Sequence, residues 1–185
     1  MESIVNSAMS GRTATSSADS EMDEIKISVI GVGGGGNNTI NRMKFLGVKG
    51  ASLVAVNTDR QHLSLIDDGI DKILIGKSIT KGLGAGGYPD VGAKCAEVDR
   101  DKLKAMLNGH HMVFLCAGMG GGTGTGAAPI VAQIAKEQGA IVVSMVTYPF
   151  ALERARVQRA EEGIQRLLQV SDSVIILDNN RLVEL

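Results

Sequence analysis

The sequence is poor in aromatic residues: its 185 residues include no tryptophan, three phenylalanines and two tyrosines. Proteins that hold single-stranded nucleic acid stack its bases on aromatic side chains, and few are present here. Basic and acidic residues are nearly balanced, at 19 and 20, and no stripe of basic residues stands out. Nucleic-acid binding by bulk electrostatics is therefore disfavoured, and we expect no nucleic-acid partner.

Cysteine and long apolar runs are scarce as well. Cys95 and Cys116 lie far apart in the sequence and form no CxxC pair, so we predict two buried free thiols in a reducing cytoplasm. The three histidines lack the spacing of metal ligands, and we predict no metal site built by protein ligands. No run approaches 18 uncharged apolar residues, so we expect no membrane insertion.

The two ends of the chain differ in composition from its middle. Residues 1–23 are rich in serine, alanine and threonine and lack the basic start and apolar centre of a signal peptide, so we predict a disordered leader there. Residues 24–185 are long enough to bury the core of one domain. The last five residues, RLVEL (181–185), resemble the first turns of a helix, which is marginal at that length. We therefore expect a fold that is truncated.

Short β-type runs alternate with helical runs from Ile25 onward. The predicted strands cover 25–31, 52–59, 71–76, 111–118, 140–146 and 173–178. Helices are predicted after the glycine-rich runs at 31–38, 82–92 and 116–129, and over 151–169. The helix after 82–92 is predicted to end at about Leu107. This alternation predicts an α/β fold, a Rossmann-like, doubly wound parallel sheet with helices on both faces.

Many of the 24 glycines are concentrated in three loops. These loops read GVGGGGNN (31–38), GLGAGGYPDVG (82–92) and CAGMGGGTGTGAAP (116–129). The first and third join a predicted strand to a helix, where free N–H groups and the helix dipole favour an anion. Consecutive glycines can form a nest of amides for phosphate oxygens, and Thr123 and Thr125 add hydroxyl groups. We expect one site at the carboxyl ends of the strands.

Three interpretations of these loops are open at this point. The first loop contains a GxGxxG pattern at Gly31, Gly33 and Gly36, with Asp59 as a candidate ribose ligand, so an NAD-binding domain of an oxidoreductase is an alternative. A scaffold module with purely structural glycines is another. A P-loop is excluded, because Asp71 stands where that motif needs glycine. The third interpretation is a nucleoside triphosphate held from two sides, and two phosphate-type loops on one sheet favour it.

The sequence GGGTGTG (120–126), with GVGGGGNN upstream, NTD at 57–59 and GLGAGG at 82–87, resembles the tubulin/FtsZ family of cell-division GTPases from residue 25 to 185. The resemblance implies GTP or GDP as ligand, Mg²⁺ with GTP, and head-to-tail filaments at the division site in the cytoplasm. It also implies cell-division proteins as further partners.

The resemblance implies nucleotide contacts from five segments. These are Gly34, Gly35, Gly36, Asn37 and Asn38 for the diphosphate; Gly120, Gly121, Gly122, Thr123 and Gly124 for the phosphates; Ala85, Gly86 and Gly87 for the γ-phosphate; Glu153 and Arg156 for the ribose and nearby groups; and Asn179 for the guanine edge. We expect a larger residue at Gly122 to occupy phosphate space with little loss of fold. The role of Asp59 stays open: it either helps to place Mg²⁺ or caps a turn.

Some positions depart from the pattern of the family. Tyr88 replaces a more usual asparagine, and Glu153 and Arg156 are three residues apart in PFALERAR rather than four. Both would still share a helix face, so we expect binding to survive, with Arg154 as a competing candidate for the contact. The ERAR form is similar to archaeal members.

The resemblance also implies a long central helix and a second domain, and the sequence ends before both. In the family, an acidic loop completes hydrolysis across a subunit interface. No paired carboxylates lie near the glycine loops in the sequence. We therefore predict no catalytic residue in this chain, and nucleotide binding with little hydrolysis.

Overall fold

The computed structural model describes residues 25–182, so the predicted leader and the last three residues lie outside the described part. The strands are β1 Ile27–Val32, β2 Ser52–Asn57, β3 Asp71–Leu74, β4 Met112–Gly118, β5 Ile141–Tyr148 and β6 Ser173–Asp178. The helices are α1 Gly33–Phe45, α2 Arg60–Ser64, α3 Lys77–Thr80, α4 Pro89–Val98, α5 Arg100–Leu107, α6 Thr123–Glu137, α7 Arg154–Val170 and α8 Asn179–Leu182. None of these helices is long and apolar enough to cross a membrane.

The strands form one sheet in the order β3-β2-β1-β4-β5-β6, and every neighbouring pair is parallel. In the centre of the sheet, Ile30 of β1 aligns with Val54 of β2 and Leu115 of β4. The direction of strand order reverses between β1 and β4, and the carboxyl ends of strands at such a point open a crevice. The predicted Rossmann-like, doubly wound parallel sheet is confirmed.

Helices cover both faces of the sheet and enclose two apolar cores. Alternate residues of β1 point to opposite faces, so Ile30 belongs to the core under α6 while Val29 belongs to the core under α1. Cys95 and Cys116 are free and buried, one in each core, as predicted. Burial raises the pKa of the Cys116 thiol to about 11, which keeps it protonated.

The predicted helix that ends near Leu107 is in fact two helices. The break falls at Asp99, whose dihedrals of φ −101° and ψ 24° are not helical. The Oδ2 atom of Asp99 accepts a hydrogen bond from the N–H of Gly76 at 2.6 Å, so the break anchors the turn after β3. The prediction also missed α2 and α3, which are too short to show a helical period.

The second strand ends earlier than predicted, at Asn57. The Oδ1 atom of Asn57 accepts hydrogen bonds from the N–H groups of Thr58 at 2.8 Å and Asp59 at 3.2 Å. An asparagine side chain that binds the following amides turns the chain out of the strand. This turn brings residues 57–59 to the carboxyl edge of the sheet.

Candidate functional site

A cleft of about 430 Å³ opens at the carboxyl edge of the sheet, where the strand order reverses between β1 and β4. Most of the predicted site residues line it: Gly34, Gly35, Ala85, Gly86, Gly87, Gly121, Gly122, Thr123, Gly124, Glu153, Arg156 and Asn179. They come from segments that are widely separated in sequence, and the parallel sheet brings these segments together. The prediction that several strand ends build one site therefore has a geometric basis in the structure.

The first side of the cleft is the N-terminus of α1. This helix starts immediately after β1, and its N-cap residue Val32 makes no side-chain cap. No acidic residue lies in its first turn. Because the first N–H groups of a helix have no partner within the helix, the amides near Gly34 and Gly35 are available to an anion.

The second side is the N-terminus of α6. Its N-cap residue is Gly122, which makes no side-chain cap, and the first turn again contains no acidic residue. The preceding loop is held in shape because the N–H of Gly120 donates to Thr125 Oγ1 at 2.8 Å. The hydroxyls of Thr58 and Thr123 are hydrogen-bonded to each other at 2.7 Å. Two uncapped helix N-termini thus meet at one cleft, which favours a ligand carrying several negative charges.

The loop of residues 84–88 forms the third side. Gly84, Gly86 and Gly87 all have positive φ, between +61° and +87°, which favours glycine. A Cβ on Gly122 would lie 2.8 Å from the backbone N of Tyr88, because this loop packs directly on the start of α6. The expectation that a larger residue at Gly122 causes little loss of fold is therefore wrong, whereas its effect on phosphate space stays a prediction. Such a side chain would collide with the loop.

Glu153 and Arg156 lie at the start of α7, on the fourth side of the cleft. Glu153 accepts a hydrogen bond from Arg156 Nη1, and its Oε1 atom accepts one from the N–H of Phe150 at 3.2 Å. The hydrogen bond from Arg156 holds the pKa of the Glu153 carboxyl below its usual range. Both residues line the cleft despite their spacing of three, whereas Arg154 does not.

Four predicted site residues do not line the cleft: Gly36, Asn37, Asn38 and Gly120. Gly36 packs against the carbonyl group of Cys116, which brings α1 close to β4. The side chain of Asn37 is fully buried, and its amide nitrogen, in the orientation that satisfies its neighbours, lies 2.6–3.1 Å from the carbonyl oxygens of Gly31, Gly33 and Val56. These contacts shape the turn between β1 and α1. Contact of all four residues with a nucleotide stays a prediction.

Asp59 and His62 also line the cleft. The Oδ1 atom of Asp59 accepts a hydrogen bond from the N–H of His62 at 3.0 Å, so Asp59 caps α2. Its role with Mg²⁺ stays a prediction. His62 carries no motif and lies in a five-residue helix, so nothing in the sequence singled it out. Further lining residues outside the predicted set are Asn57, Leu83, Gly84, Gly118, Met119, Thr147 and Pro149.

The charged side chains in the cleft lining are Asp59, Glu153 and Arg156. Among residues 25–182, no group of three or more His, Cys, Asp or Glu side chains could hold a metal ion. The backbone amides at the starts of α1 and α6 add positive potential to the cleft, as amides do in nests that bind phosphate.

A parallel sheet whose carboxyl edge presents glycine loops and two uncapped helix N-termini defines an α/β protein of the phosphate-binding class. The model of the Tubulin/FtsZ family, GTPase domain, matches residues 26–185, and the chain belongs to this family. This confirms the predicted family. The NAD-binding alternative finds no support.

Relatives and solved structures agree with this family. The chain is 54% identical over 182 residues to cell division protein FtsZ 2 of Methanocaldococcus jannaschii, covering 98% of the chain and 48% of that protein. It resembles the empty FtsZ dimer of M. jannaschii with a TM-score of 0.85 and 47% identity, over 89% of the chain and 48% of the other.

A more distant structure is the GTPγS-bound protofilament of CetZ2 from Haloferax volcanii, with a TM-score of 0.72 and 30% identity, over 84% of the chain and 49% of the other. In each of these comparisons the chain spans about half the length of the protein that it matches.

Proposed function

We propose that this chain is the guanine-nucleotide-binding part of a cell-division GTPase that assembles into filaments. The observation that carries the proposal is the meeting of two uncapped helix N-termini with the 84–88 loop at one cleft, in a chain that belongs to a GTPase family. GTP or GDP would bind with its phosphates at the starts of α1 and α6 and its base toward β6.

The positions of the lining residues support this orientation. Gly34, Gly35 and the segment 121–124 offer amides for the phosphates, and the 85–87 loop lies beside them for a γ-phosphate. Asn179, the residue after β6, lines the cleft with a side-chain amide that can both donate to and accept from a base edge. A site of paired donors and acceptors of this kind selects one base over another.

The residues present fit a magnesium ion that arrives with GTP. Magnesium is bound through one or two carboxylates together with phosphates and waters, and Asp59 is the carboxylate in the cleft that forms no ion pair with Arg156. Its Oδ1 atom caps α2, which leaves Oδ2 as the candidate ligand. When bound, the ion would neutralise negative charge on the phosphates.

Hydrolysis would be completed between subunits rather than within this chain. A general base must be free to take a proton from the attacking water. Glu153 is paired with Arg156, and Asp59 caps α2 through Oδ1 while Oδ2 is the candidate magnesium ligand, so neither carboxylate in the cleft is placed for that task. The solved relatives include an FtsZ dimer and a CetZ2 protofilament, which supports self-association of the whole protein into filaments. Action at the division site in the cytoplasm, with other cell-division proteins, is part of the same proposal.

The experiment that tests the proposal is a binding comparison. The protein is denatured, any released nucleotide is identified by ion-exchange chromatography, and the emptied protein is titrated with GDP, ADP and NAD. Selective binding of GDP is the expected result. Binding of NAD, or equal binding of ADP and GDP, would overturn the proposal.

A further inference from the structure

His62 lies in the cleft beside the first turn of α1. Its Nε2 atom is 3.6 Å from the position that a Cβ would occupy on Gly34. The N–H of His62 donates to Asp59, and the N–H of Arg60 donates to the carbonyl of Gly82 at 2.9 Å, so α2 is fixed to the glycine loop that follows α3. The imidazole is therefore held next to the amides at the N-terminus of α1.

The hydrogen bonding of the ring indicates which of its forms fits this place. The Nδ1 atom of His62 is buried and has no hydrogen-bond partner within the described residues. A ring with its hydrogen on Nε2 leaves Nδ1 as an unpartnered acceptor in the interior. This form directs an N–H donor toward the cleft.

We propose that His62 donates a hydrogen bond from Nε2 to a phosphate oxygen of the nucleotide bound at the N-terminus of α1. The inference rests on the proposed function. Arg156, the cationic side chain that lines the cleft, is paired with Glu153 on the far side, so His62 is the side-chain nitrogen donor placed beside α1. The bond would add a directional contact to amides that attract any anion.

The test compares two substitutions in the 185-residue protein by titration with GDP. His62→Gln keeps an amide N–H donor near the place of Nε2, and His62→Leu removes the donor while keeping bulk. A hydrogen bond to a charged phosphate predicts that His62→Leu weakens GDP binding roughly 10-fold or more. His62→Gln should retain most of the affinity.

A matched control comes from the opposite edge of the sheet. His110 also has a buried Nδ1 without a partner, and its ring lies beside Ser52, far from the cleft. His110→Leu should leave the affinity for GDP unchanged.

Two results would overturn the inference. Equal affinity of His62→Leu and the wild type would show that the ring makes no contact. Equal loss in His62→Leu and His62→Gln would show that packing, not donation, matters at this position. If the wild type binds no guanine nucleotide, the proposed function itself fails, which is a distinct outcome.

Discussion

Gly33 and Gly124 are in direct backbone contact: a Cβ on Gly33 would lie 2.7 Å from the backbone N of Gly124. Gly33 begins α1 and Gly124 is the second residue of α6, so this contact joins the N-termini of the two helices that form the cleft. Helix ends that both attract anions repel each other slightly when no anion is present. Close packing of glycines keeps them together, and it sets the spacing at which two phosphate groups could be held.

Replacing Gly33 by alanine should destabilise the fold and weaken nucleotide binding together. The φ angle of +72° strains any side chain, and the new Cβ would push against Gly124. Gly47→Ala is the control, since Gly47 has a φ of +75° but nothing within 4 Å of its Cβ position. Strain alone costs on the order of 1 kcal/mol, so denaturant unfolding should show a larger loss for Gly33→Ala than for Gly47→Ala. Equal losses would mean that the helix contact is unimportant.

Gly122→Ala and Gly121→Ala should differ sharply although the residues are adjacent. A Cβ on Gly122 would lie 2.9 Å from the Cβ of Ala85 and close to the backbone of Tyr88. The nearest atom to a Cβ on Gly121 is Nη2 of Arg156, at an ordinary contact distance of 3.9 Å. Overpacking of this kind costs typically 1–3 kcal/mol. We expect thermal unfolding to show that loss for Gly122→Ala and almost none for Gly121→Ala. The opposite order would contradict the placement of the 84–88 loop.

The fold was predictable from the sequence because its strands are apolar runs and its turns are dense in glycine. Both signals are local, and together they indicate the alternation that a parallel sheet requires. The break at Asp99 was not predictable, because it depends on a hydrogen bond to Gly76, which is distant in sequence. Tertiary contacts of this kind override the helical period.

The site was predictable as a set of segments but not residue by residue. Glycine-rich loops at strand ends indicate where a ligand binds, yet the direction of each side chain depends on packing. The sequence therefore left Arg154 and Arg156 as alternatives, and the structure places Arg156 in the cleft. Asn37 is predicted from the motif to contact the ligand, and the structure shows a second role, because its buried side chain braces the turn between β1 and α1.

The stability of the protein should fall at alkaline pH in a way that depends on Cys116. Burial raises the pKa of this thiol to about 11, whereas an unfolded cysteine ionises near pH 8.5. The thiol therefore ionises first in the unfolded state. Its contribution to stability is complete below about pH 8 and declines until the pH passes the pKa of the folded state, about 11. By pH 10 the loss should be roughly 1–2 kcal/mol. In denaturant unfolding at pH 8 and pH 10, Cys116→Ala should show a smaller decline than the wild type, and equal declines would contradict the assignment.

Two substitutions of Asp59 should separate its structural contact from its proposed contact with Mg²⁺. Asparagine caps a helix about as well as aspartate, whereas alanine does not, so Asp59→Ala should cost about 1 kcal/mol of stability and Asp59→Asn close to nothing. A neutral amide is a poorer ligand for magnesium than a carboxylate, so Asp59→Asn should still weaken the dependence of GTP binding on Mg²⁺. Titration of each variant with GTP, with Mg²⁺ and with EDTA, measures this dependence. If Asp59→Asn keeps the full effect of Mg²⁺, capping is the whole role of Asp59, and the ion is held by phosphates and waters alone.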